Sequence, residues 1–242
     1  MQQKVPFCIM GIEMFVKIKL MGSQRDYKQF AAGEYYHIYN RGNGKMDIFR
    51  EADDYTFFLF RLKEYLYPEW KCRRAPSASF ASTEIERYER LTFSKDDFSL
   101  IAYCLMPNHF HLLIGQNTDI SISTLMLRLS GSYVKFFNKK YDRVGSLFQD
   151  QFKAVHIESN PQLLHLSAYI HLNPVAAKLI KSLQSYPYSS YPEYAGLREG
   201  TLCNKEVILN QFRDYKDYIT FVAESMETVE RNIDLKEFLL DS

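Results

Sequence analysis

The apolar positions of this chain change period several times, and each change marks an element. Glu34–Gly42 (EYYHIYNRG) predicts a strand that ends at the Gly42-Asn-Gly44 turn. Asp53 or Asp54 then caps a helix carrying Phe57, Phe58, Phe60, Leu62 and Leu66. Residues 68–97 are polar and of mixed charge, and predict a loop or an insertion. Ser99–Met106 and His109–Gly115 follow as two strands joined at Pro107-Asn108, a hairpin with histidines on its return arm. Leu112-Leu-Ile114 is apolar on both faces, as in a strand covered on both sides. It is expected inside an antiparallel sheet, beside the Glu34–Asn40 or the Ser99–Met106 strand.

After the hairpin, Asp119 or Ser121 caps an amphipathic helix to about Lys140, with Leu125, Leu129, Tyr133, Phe136 and Phe137 at helical spacing. Gly145-Ser-Leu-Phe148 breaks it, and Phe152–Ile157 predicts another strand. Ser159 or Asn160, with Pro161 in the first turn, opens a helix through Leu163, Leu164, Leu166 and Tyr169. It should stop near Leu172, because a residue preceding proline, here Asn173, disfavours the helical conformation. Tyr186–Leu197 predicts an aromatic, proline-containing loop, and helices are expected over about 204–224 and 226–240. No internal repeat is visible. The order β-α-β-β-α-β-α predicts an α+β fold, an antiparallel sheet with helices packed on it.

Composition narrows the function classes. A hydrophobic fraction of 46% in 242 residues supports a well-buried core, as one larger domain or one domain with appendages. Lys and Arg number 30 against 29 Asp and Glu, so no global field draws polyanions, and nucleic-acid binding must rest on local patches. Aromatics at 15% serve base stacking and core packing equally well. Cys8, Cys72, Cys104 and Cys203 are scattered without a CxxC pair, which argues for a reducing cytoplasm over a disulfide framework or zinc ribbon. Pro6–Met21 is too short to span a bilayer and is interrupted by Glu13, Lys17 and Lys19, so no membrane role is expected. Met21 is an alternative start, which would make the first twenty residues an extension.

Candidate chemistry begins with His109-Phe110-His111. Strand alternation sends both imidazoles to one face and Phe110 and Leu112 to the other, so one ion could be offered two rings. Packing remains the plain alternative for such a pair. On the helix after Pro161, Tyr169 and Asn173 are four apart and share a face, with His165 one turn earlier. A phenol with a pKa near ~10 is a weak nucleophile, and a divalent ion beside it can polarise a phosphodiester. Read alone, core packing for Tyr169 and helix-end capping for Asn173 are the commoner roles. Tyr133 and Tyr141 are rival nucleophiles, but four residues beyond them stand Phe137 and Gly145. Lys135, Lys139, Lys140, Arg143 and Lys153 cluster in sequence and could track phosphates, as a solvated helix end also would. Asn40, Arg41 and Asn43, at the end of the first strand, are further candidates for DNA contact.

Four blocks taken in order are more specific than any one: Tyr36-His-Ile-Tyr-Asn-Arg-Gly42, Tyr103-Cys-Leu-Met-Pro-Asn-His-Phe-His-Leu-Leu-Ile114, Gly145-Ser-Leu-Phe-Gln-Asp-Gln-Phe-Lys153 and Tyr169-Ile-His-Leu-Asn-Pro-Val175. Over residues 31–195 the chain resembles the single-tyrosine transposases of the HUH superfamily, in particular their REP-associated branch. The resemblance implies a metal site of His109, His111 and Asn173 holding Mg²⁺ or Mn²⁺, and Tyr169 as nucleophile. It implies cleavage of single-stranded or hairpin DNA to a 5′-phosphotyrosine and a free 3′-hydroxyl, with strand transfer. Two imidazoles alone suit Mn²⁺ or Zn²⁺ better than Mg²⁺ by softness, whereas phosphoryl transfer needs open, oxygen-binding positions. Two features depart from the pattern. Gln151 stands where the family often has Arg, with Lys153 two residues later, and the shortest members have no clear counterpart to residues 68–97.

The expectation is an α+β protein with a ferredoxin-like core: an extension over 1–30, a catalytic domain over 31–195 and a helical appendage over 196–242. Superfamily members work as monomers or as homodimers that place the tyrosine helix at the partner's site, so Tyr169 is expected to act in cis or in trans. Two other classes stay open: a hairpin DNA- or RNA-binding relative that does not cut, and a metal-dependent phosphodiesterase using water, in which Tyr169 would be dispensable.

Overall fold

The structure, a computed structural model, describes residues 29–68 and 93–231. Its elements are β1 (Glu34–Arg41), α1 (Ala52–Leu66), β2 (Phe98–Met106), β3 (His109–Gln116), α2 (Ile122–Lys140), β4 (Lys153–Ile157), α3 (Asn160–Ala176), α4 (Tyr191–Tyr194), α5 (Glu206–Leu209) and α6 (Tyr215–Arg231). The strands form one antiparallel sheet in the order β2-β3-β1-β4. Connections β1-α1-β2 and β3-α2-β4 with that strand order make a ferredoxin-like core, as expected. β3 is interior, flanked by both candidate neighbours, β1 and β2.

Alternation divides the core in two. Phe110, Leu112 and Ile114 of β3 join Tyr36 and Ile38 of β1 under α1 and α2, with Phe58, Leu62, Leu129, Tyr133 and Phe137. Leu113 of β3 joins Ala102, Cys104 and Met106 of β2 under α3, with Leu163, Leu166 and Ile170. The sheet is therefore covered on both faces, which explains a β3 with no exposed residue. Tyr218 and Val222 of α6 belong to the second cluster, so the C-terminal helix packs directly on α3.

Some boundaries differ from the sequence reading. Glu51 is the N-cap of α1, and Asp54, at the third helical position, completes a capping box with it. α3 does not stop at Leu172 but runs to Ala176 with Pro174 inside it. A proline so near the C-terminus removes a single intrahelical donor, and the packed second cluster holds the last turn in place. The helix expected over 204–224 is broken into α5 and α6, and the break falls in the Asn210–Asp214 stretch, where Asp214 accepts from the backbone of Lys216 and Asp217. α6 then runs through Met226 to Arg231 without the second start expected there. The aromatic loop contains a 3-10 turn, Leu183–Ser185, and α4. Residues 1–28, most of the 68–97 stretch and 232–242 lie outside the described residues. Among the described residues no helix is long and apolar enough to cross a membrane. Cys104 and Cys203 are buried and form no disulfide among the described residues, and Cys8 and Cys72 lie outside those residues.

Candidate active site

The α3 face of the sheet carries the chemistry-bearing side chains in rows. Antiparallel register sets Arg41 opposite His109 and Tyr39 opposite His111 on β1, with Met106 and Cys104 opposite them on β2. Directly paired residues point to one face, so Arg41, Tyr39, His109 and His111 share it. His37, two residues before Tyr39, pairs with Leu113 and points the same way. On β4, Lys153 pairs with Tyr39 and is exposed at the sheet edge. The rings of His109 and His111 lie 5.0 Å apart between centroids.

Tyr169 comes down onto this row from α3. Its ring is edge-on to His111 at 5.7 Å and to His37 at 6.3 Å, within one chain. Asn173, one turn on and buried, donates its side-chain N–H to the Tyr169 carbonyl at 2.8 Å. That leaves the Asn173 side-chain oxygen as its remaining acceptor. His109 and His111 are fully buried, and half-buried Tyr39, Arg41, Asn108 and Tyr169 surround them.

Burial, then the neighbouring His109, His37 and Arg41, hold His111 well below the usual imidazole range, and burial brings His37 down to about 3. Both are neutral at physiological pH. His109 Nδ1 is 2.6 Å from Asn108 Oδ1, while the Asn108 amide nitrogen faces the Lys45 carbonyl. An amide oxygen only accepts, so Nδ1 carries the proton and the lone pair sits on Nε2. His111 Nε2 is buried and makes no hydrogen bond among the described residues. A divalent cation fits such a pair, although among the described residues no three His, Cys, Asp or Glu side chains converge to hold a metal by themselves. A complete site therefore needs other oxygen ligands, for which the Asn173 amide and a DNA phosphate are the candidates.

The remaining predicted residues are dispersed. Asn40 is buried and points to the opposite face; its amide donates to the Asp150 carbonyl and its oxygen accepts from the Arg41 N–H. Asn43 is exposed in the turn after β1. Lys135, Lys139 and Lys140 belong to α2, in the layer behind the sheet, and Arg143 follows it. Lys140 is committed there: it pairs with Asp54 at 2.8 Å and Glu51 at 3.2 Å. Both rival tyrosines are in the same layer. The Tyr133 hydroxyl donates to the Ile48 carbonyl and that of Tyr141 to Asp54. His165 is buried against Phe221 of α6. The sequence reading overlooked His37, Asn108 and His171, although each lies inside a quoted block. Alternation from Tyr39 was the available signal for His37. His171 is a structural anchor: it meets the Tyr218 hydroxyl and Ser190 Oγ at 2.8 Å each, fastening α3 to α6 and to the start of α4.

A covered antiparallel sheet with two neutral histidines beneath a helix-borne tyrosine defines an α+β protein with a His–Tyr centre. Residues 69–173 match the family model described as IS200-like transposase. The chain is 31% identical over 105 residues to a protein described as a REP-associated tyrosine transposase of Haemophilus influenzae, a match covering 39% of this chain and 59% of that relative. A solved REP-associated tyrosine transposase bound to a REP hairpin superposes with a TM-score of 0.49 at 15% identity, over 75% of this chain and 94% of that one. The family model covers less than half of this chain, and the chain spans 59% of the length of that curated relative.

Proposed function

We propose that this protein nicks single-stranded DNA and transfers strands through a covalent tyrosine intermediate, in a metal-dependent reaction at sites marked by hairpin-forming DNA. The observation that supports the reading is the T-shaped contact of the Tyr169 and His111 rings in the same chain, the proximity that a tyrosine nucleophile acting in cis beside its metal ligands requires. His109, His111 and Asn173 would hold Mg²⁺ or Mn²⁺, which when bound polarises the scissile phosphate and offsets the charge that builds on it. The Tyr169 oxygen attacks phosphorus and gives up its proton. The bond to the 3′-oxygen breaks, that oxygen leaves as a 3′-hydroxyl after protonation, and the 5′ end remains on Tyr169 as a phosphodiester. Attack by another 3′-hydroxyl reverses these steps and joins a new strand. Arg41 and Lys153, on the same face as the histidines, are positioned to bind backbone phosphates on either side of Tyr39. The family match and the curated relative support the transposase class.

Incubating the full chain with Mn²⁺ and end-labelled hairpin-bearing single-stranded DNA, then running denaturing gels, tests this. The wild type should give a covalent protein–DNA band. Tyr169→Phe should keep fold and DNA affinity but lose the adduct and cleavage by roughly 10³-fold or more. His109→Ala should lose both products. Nicking that survives Tyr169→Phe would identify water as nucleophile; binding without any nick would identify a recognition module.

A further inference from the structure

His37 Nε2 lies 2.8 Å from His111 Nδ1, both rings are buried, and they stack at 5.0 Å with an interplanar angle of 21°. Between two neutral imidazoles, one nitrogen of this contact donates and the other accepts. If His37 donated, His111 would carry its own proton on Nε2, and the nitrogen that makes no hydrogen bond would have no lone pair to offer. If His111 donates, its lone pair sits on Nε2, matching the form that Asn108 imposes on His109. The two rings then present equivalent nitrogens to one ion. His37 comes from β1, through the register that also sets Tyr39 opposite His111.

We infer that His37 is a positioning residue: it accepts the Nδ1 proton of His111, fixes that ring's tautomer and orientation, and so does for His111 what the Asn108 side chain does for His109. This rests on the metal-binding reading of the His109/His111 pair. A partner of this kind typically changes metal affinity 10–100-fold. The acceptor here is a histidine on the interior strand β1, and its ring makes a T-shaped contact with that of Tyr169 at 6.3 Å. His37 therefore ties ligand orientation and nucleophile placement to a single side chain.

The test uses the full chain, with Mn²⁺ binding followed by electron paramagnetic resonance and the His111 tautomer read from long-range ¹H–¹⁵N spectra with and without Mg²⁺. Wild type should show His111 protonated at Nδ1. His37→Phe keeps an apolar ring but removes the acceptor; Mn²⁺ should bind 10–100-fold more weakly and the His111 tautomers should mix. His37→Gln returns an amide oxygen and should restore affinity to within about threefold, because such an oxygen can accept the same proton. Wild-type Mn²⁺ affinity in His37→Phe with an unchanged tautomer overturns the inference. Loss in both variants also overturns it, since His37 would then ligate the metal itself. Should the wild type bind no Mn²⁺, the metal-dependent function fails, yet the metal-free spectra still decide: Nδ1–H on His111 supports His37 as acceptor, and Nε2–H overturns it.

Discussion

Asp54 shows how one side chain can reassign others. Burial alone would raise its pKa, but hydrogen bonds from Lys140, the Arg50 N–H, the Tyr141 hydroxyl and the Glu51 N–H outweigh that and hold the carboxyl below its ordinary value. A group whose folded pKa is depressed contributes stability that is present above its unfolded value and lost as pH falls through the folded one. Acid unfolding should therefore steepen below about pH 4, the unfolded carboxylate range. Asp54→Asn should destabilise by roughly 1–3 kcal/mol at neutral pH and flatten that acid limb, as urea titrations across pH 2.5–7 would show. An unchanged acid limb would mean that other carboxylates carry it. The same network predicts that Lys140→Ala lowers the unfolding midpoint and leaves DNA affinity as it was, whereas Lys153→Ala weakens DNA binding and reduces its salt dependence. A gel-shift series in salt separates the two lysines.

Among the elements, α3 carries the most consequence. Ser159 caps its start, and its middle is held from behind by a polar chain in which Ser167 Oγ and His171 both meet the Tyr218 hydroxyl. Tyr218→Phe keeps the ring but strips that hydroxyl from two buried partners, a loss of roughly 1–3 kcal/mol, readable as a lowered midpoint in urea unfolding. If stability is unchanged, α3 is fixed by apolar packing alone. A second constraint lies in the turn after β1, where a Cβ on Gly42 would come 2.1 Å from the Met46 carbonyl oxygen. The Gly42 N–H also donates to the Asn108 carbonyl, so crowding there is transmitted to the residue that orients His109. Much of this was legible: period-two alternation placed His109 and His111 on one face, and the cap at Ser159 placed Tyr169 on a helix. Alternation is local, however, and cross-strand register is not, so the side-chain contact of His37 with His111, 74 residues away, could not be read. The cationic run from Lys135 divides for a related reason: closeness in sequence does not say which side of a sheet a helix covers, and α2 lies on the face away from the histidines. Pro174 misled because the rule it breaks is a propensity, which tertiary packing overrides.

For the molecule as a whole, strand order decides what lies near the chemistry. β2 ends at Met106 beside His109, so its start at Phe98 is about nine residues of extended chain away, on the order of 27 Å. The chain leaves α1 and returns ahead of β2 at that remote end, where Tyr65 and Phe93 rings already meet at 6.0 Å and Phe93 packs on Phe98 at 5.2 Å. For a flexible connection between two pinned ends, length enters stability only as a logarithm. Replacing residues 69–92 with a Gly-Ser linker a third as long should shift unfolding free energy by about 1 kcal/mol and leave covalent adduct formation at wild-type rates. A loss of adduct formation would mean that the segment reaches across to the histidines. Geometrically, the sheet sets the His–Tyr site at one end and the two ends of the 69–92 connection at the other. The second is a port: new sequence spliced between Pro68 and Phe93 could lend the protein a binding specificity without touching the His–Tyr site.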